Sequence, residues 1–128
     1  LVNISLKIGV IFLVIGILSG AVWADISWGR FWGWDPKETW ALIVLLLYMV
    51  ILHGKHTRWL ASDNVMPLVA ISFLGVMMAW FGVNYVLSSG LHSYGFSSQG
   101  SLFIAGFFII QLVFSSIHFL FTLYKKKS

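Results

Sequence analysis

The chain has 128 residues, 59% of them hydrophobic and 9% charged, and a mean hydropathy of +0.93. A soluble domain carries about 25% charged residues, so a water-covered globule is excluded and lipid must be the solvent for most of the surface. The net charge of +4 comes from Lys and Arg near the ends of apolar runs, which reads as membrane topology rather than nucleic-acid binding; with no cysteine, disulfides, Cys-ligated zinc and a thiol nucleophile are excluded too.

The chain begins at Leu1 and enters an apolar run with no charged n-region or cleavage site. The expectation is a single membrane domain over residues 1–128, the C-terminal portion of a larger polytopic protein. Apolar segments cover about residues 6–24, 36–53, 65–87 and 101–124. Each is close to the ~20 residues a helix needs to cross a bilayer. Lipid forces backbone groups to be satisfied internally, so an all-α integral membrane fold of about four transmembrane helices is expected. Interior glycines such as Gly9, Gly16, Gly75 and Gly106 suit close helix packing.

Between the first two segments lies a tryptophan loop, residues 25–35, reading into "WGRFWGWDPKETW". The "DPKE" stretch is a helix start: Asp35 as N-cap, Pro36 at the first helical position and Glu38 at capping-box spacing. Gly29 and Gly33 relieve the backbone between bulky rings. Trp and Tyr favour the headgroup region, which accounts for Trp23, Trp40, Trp59 and Trp80. A belt needs neither glycine spacing nor a capped aspartate, so Trp28, Trp32 and Trp34 point slightly toward a flat hydrophobic ligand.

Lys55 and Arg58 follow the second segment, Lys125, Lys126 and Lys127 follow the fourth, and Lys7 lies near the start of the first. Four crossings put these on one side, which the positive-inside rule makes cytoplasmic, with both termini there. The tryptophan loop and an uncharged loop, residues 88–100, then lie outside. The second loop carries His92 in "SSGLHSYGF". Porphyrin iron needs an axial nitrogen and large apolar faces, and His92 and the tryptophans offer both on one membrane face. The alternative is an ordinary surface histidine. His53 ends the second segment, either as an interfacial residue or as a metal ligand facing the bundle. About 18 helical residues at 1.5 Å each separate it from the outer loops, so His53 and His92 cannot share one iron. His56 reads as part of the basic connection and His118 as interfacial.

"WGRFWGWDPKETWALI" resembles the tryptophan-rich WWD signature of the haem-handling proteins of cytochrome c biogenesis, specifically the CcsA/ResC type. "FGVNYVLSSGLHSYG" is similar to that family's second signature region, and from the start of the first to the end of the second the resemblance spans about half the chain. Trp28, Gly29, Trp32, Gly33, Trp34, Asp35 and Pro36 match the motif, with Arg30 and Phe31 inside it. The resemblance implies that haem b, as transported substrate, crosses from the cytoplasmic side and is presented outside for covalent attachment to apocytochrome c. It implies an external WWD loop that cradles haem, His92 as an axial ligand of the external site, and His53 as the histidine of an inner transmembrane site. Arg30 and Lys37 are candidates for the propionates. The implied partners are a CcsB/ResB-type membrane protein, separate or fused, and an apocytochrome with a Cys-x-x-Cys-His motif; together they would form a cytochrome c synthase with haem lyase activity. The family pattern has a further external histidine upstream of the loop, and residues 1–25 hold none. A bacterial cytoplasmic membrane is the favoured location, with a thylakoid membrane as the alternative. A haem exporter feeding a chaperone, or a membrane subunit with b-type haem, are the competing functions.

Overall fold

The computed structural model describes residues 2–87 and 101–127, and the described residues are helical apart from short connections. The expected loop at residues 88–100, with His92, lies outside the described residues. Four helices carry the chain: α1 (Val2–Trp28), α2 (Pro36–His56), α3 (Ser62–Met77) and α4 (Ser101–Lys127). A π-helical segment, Met78–Leu87, continues α3. Taken as Ser62–Tyr85, the third helix joins the other three in being long and apolar enough to cross a membrane. The chain is therefore an integral membrane protein, as its composition requires.

Helix α2 lies between α1 and α3, and α4 packs on the far side of α3. Leu6, Ile51 and Val65 form a buried cluster where α1, α2 and α3 meet, closed by Val2, Tyr48, Leu52, Leu60, Leu68 and Val69. On the α2–α3 seam the buried Val44 meets Gly75, where an added Cβ would lie 3.2 Å from Val44 Cγ2. Gly75 thus serves close packing, as expected. Gly9, Gly16 and Gly106 do not: a Cβ there would meet nothing within 4 Å. Their helix faces are open, a difference that sequence spacing could not reveal because it depends on which neighbour stands opposite.

Helix α4 is held to α3 by an edge-to-face contact of Phe73 with Phe107, centroids 6.2 Å apart, and by a hydrogen bond that Gln111 Nε2 donates to the Ala70 carbonyl at 2.9 Å. Its other side presents Phe103, Ile110, Phe114 and Phe121 outward, as a bilayer-facing surface does. The third span departs from the simple helix expected. Over Met78–Leu87 the backbone winds wider, and Asn84 Nδ2 donates to the Trp80 carbonyl at 2.8 Å. Side chains that bond back to a carbonyl one turn earlier compete with the regular ladder.

Candidate functional site

The turn between α1 and α2 is built from both sides. Helix α1 runs further than the sequence suggests, through Trp28, so Asp25 to Trp28 are helical and the irregular stretch is only 29–35. It stops at Gly29, whose φ of 68° lies in the left-handed region that glycine enters freely. Gly29 N donates to the Asp25 carbonyl at 2.8 Å, completing the last turn. From the other side, Asp35 caps α2. Its Oδ1 accepts from Lys37 N at 3.0 Å, and Glu38 Oε2 accepts from Asp35 N at 3.2 Å, the reciprocal capping box expected from "DPKE".

Glu38 does more than cap. Its Oε2 also accepts from Gly33 N at 2.8 Å, and Oε1 pairs with Arg30 Nη1 at 3.3 Å. One carboxylate from the first turn of α2 therefore ties down three points of the stretch before it. Thr39 Oγ1 adds a fourth tie by donating to the Trp34 carbonyl at 3.3 Å. Together these hold Trp34 at φ 55°, a left-handed conformation that a bulky residue adopts only under constraint. Gly33 lets the Arg30 guanidinium lie close against the backbone, where a Cβ would displace it. The guanidinium also lies over Trp28, 5.7 Å from the ring centroid, a cation–π arrangement.

The tryptophans form two edge-to-face pairs: Trp23 with Trp28 at 4.9 Å, and Trp32 with Trp34 at 5.9 Å. Trp34 projects outward with 68% of its surface exposed, while Trp32 is half-buried. Beneath Trp32 runs a groove of about 360 Å³ between α1 and α2. Gly16, Gly20 and Ala21 of α1 form its smooth wall, Trp32 its roof, and Lys37 and Glu38 its polar lip. That volume is at the lower end of the ~300–1,000 Å³ typical of small-molecule pockets. Such a slot seats the edge of a planar apolar body, with Trp34 available to cover what protrudes.

Trp28, Gly29, Arg30, Phe31, Trp32, Gly33, Trp34, Asp35 and Pro36 are thus brought together, but with different roles. Trp32 faces the groove. Asp35 is buried and holds the helix cap, and Arg30 is engaged by Glu38 and Trp28. His53 is far from all of them, in the last turns of α2, with an exposed side chain and a carbonyl that accepts from Thr57 N and Thr57 Oγ1. His92 lies outside the described residues. Two contributors escaped the sequence reading: the bracing role of Glu38, and the groove wall at Gly20 and Ala21. The i, i+4 spacing of Gly16 and Gly20 was the one available signal for the wall.

Residues 1–92 match the cytochrome C assembly protein family. The chain belongs to that family. The match takes in α1, the tryptophan turn, α2, α3 and the π-helical segment, and reaches His92; α4 lies beyond it. Cytochrome c biogenesis protein CcsA of Coffea arabica is 50% identical over 91 residues, which is 71% of this chain and 28% of that protein. The proteins of the same name from Cuscuta exaltata and Lobularia maritima are each 51% identical, over 88 and 90 residues. These cover 69% and 70% of this chain and 28% and 27% of the relatives. The chain thus spans under a third of the length of the relatives it matches.

Proposed function

We propose that the chain serves cytochrome c biogenesis as the haem-presenting part of a membrane-embedded cytochrome c synthase. The observation that carries this reading is the braced tryptophan turn over the α1–α2 groove: an apolar slot roofed by Trp32 with a charged lip, in a chain of the cytochrome c assembly family. The substrate is haem b, whose vinyl groups join the thiols of a Cys-x-x-Cys-His segment in apocytochrome c. Haem supplies the reactive alkenes, and the protein's share is positioning. Trp32 and Trp34 hold the ring, with its apolar edge toward the wall of Gly16 and Gly20. Lys37, on the groove's lip, is the cation best placed for a propionate. Arg30 has a carboxylate partner already and acts chiefly by shaping the turn.

In this reading the turn faces the outside, following the positive-inside rule. His92 is an axial ligand there and His53 belongs to a separate inner station, both on the strength of the family resemblance. A CcsB/ResB-type protein is the membrane partner. The test is haem retained after purification of the protein with its partner, read by absorbance, together with cytochrome c maturation. His92→Ala is expected to abolish stable external haem, and Trp32→Ala with Trp34→Ala to lower it several-fold. Unchanged haem and maturation in both sets would overturn the assignment.

A further inference from the structure

At the end of α2 opposite the tryptophan turn, a second pocket of about 240 Å³ opens between α1 and α2. Asn3, Lys7, Leu52, Lys55, His56 and Arg58 line it. Three of the six are permanent cations, and no carboxylate is among them. The chain has only four acidic residues. Asp25, Asp35 and Glu38 lie at the other end of α2, and Asp63 lines a different cavity with His118. The Arg30–Glu38 ion pair lies at that other end of α2 as well. The protein therefore brings three positive charges to one recess without supplying their counter-charge.

The recess is preformed. Thr57 N donates to the His53 carbonyl at 2.9 Å, Arg58 N to the Lys55 carbonyl at 3.3 Å and Leu60 N to the Gly54 carbonyl at 3.0 Å. These bonds hold Arg58 at φ 62°, a left-handed conformation unfavourable for a residue with a Cβ.

We propose that this recess binds the headgroup of an anionic phospholipid, with the phosphate between Lys7, Lys55 and Arg58. The volume is below that of pockets that enclose a drug-sized molecule, so the occupant inserts only its anionic group and leaves its bulk outside. Leu52 lines the recess between two bilayer-exposed helices, where acyl chains continue into the membrane. Basic pockets between membrane helices hold lipid headgroups by this charge logic. The same oxyanion chemistry is available from inorganic phosphate and from porphyrin carboxylates, which the experiment separates.

The protein, with whatever partner co-purifies, is reconstituted with equal phosphatidylglycerol and phosphatidylcholine, and bound lipid is read by native mass spectrometry. Preferential retention of phosphatidylglycerol is expected, together with a higher unfolding temperature in its presence. Lys7→Gln, Lys55→Gln and Arg58→Gln should each lower the preference about five-fold, the equivalent of ~1 kcal/mol per basic residue. Neutralising Lys125, Lys126 and Lys127 should leave it unchanged, and a drop as large as that of the recess variants would reduce the effect to general surface charge and overturn the site. Equal retention of both lipids by the unmodified protein also overturns it, without reliance on any variant. Inorganic phosphate should not displace the lipid. Displacement by a metal-free porphyrin dicarboxylate at the lipid's own concentration would reassign the recess away from lipid.

Discussion

The two ends of α2 solve opposite problems with the same kinds of residue. At one end three charged side chains are turned inward, with Lys37 left on the groove's lip: Asp35 caps, Glu38 takes two backbone donors, and Arg30 closes the network. At the other end the charges stand around a recess without acidic partners. The first arrangement spends its charge on shape, and the second leaves it available to an outside anion. The comparison also separates two faces of one bundle. The α2–α3 seam is closed around Gly75, whereas the α1–α2 seam is left open at Gly16 and Gly20.

The largest break in this contrast is expected from Glu38→Ala. It strands two backbone donors and an arginine, at a cost of about 2–4 kcal/mol for charge-assisted bonds partly open to solvent. Thermal unfolding in detergent should show the loss, and Glu38→Gln should restore part of it. Next come paired glycine substitutions. Gly75→Leu forces a side chain onto Val44 and should destabilise by ~1–3 kcal/mol. Gly20→Leu meets open space, so it should leave unfolding nearly unchanged while filling the groove and reducing haem retention. Equal destabilisation by both would show that the α1–α2 seam is closed in the assembled protein. Asp35→Ala should cost ~1 kcal/mol through the lost cap, with Asp35→Asn close to neutral in the same unfolding assay. The smallest effect belongs to Gln111→Leu, at about 0.6 kcal/mol, the average for hydrogen bonds between membrane helices. Thermal unfolding in detergent, monitored by helix content, would read that change.

Much of this architecture was legible because lipid imposes simple rules. Four apolar runs of spanning length became four spanning helices, and "DPKE" produced its capping box because a cap depends on residues three apart. Trp28 was assigned to the loop and proved helical, since the break is made by Gly29, where the backbone can turn left-handed. The reach of Glu38 back to Gly33 and Arg30 was not legible, because it exists only once the turn folds over the helix start. The open glycine face was illegible for a related reason: Gly16 and Gly75 look alike in sequence and differ only in what stands opposite. The wide winding of Met78–Leu87 was hidden because its apolar composition suits either kind of helix.

The Glu38 brace has a mechanical consequence. Because its ties run from the first turn of α2 to residues before the helix, the tryptophan turn is an extension of α2 rather than an independent flap. Helix and turn form one lever, about 32 Å long at 1.5 Å per residue over the 21 residues of α2. One end of that lever carries Trp34, and its far end is the recess of Lys55 and Arg58. The turn and the recess therefore share one helical support.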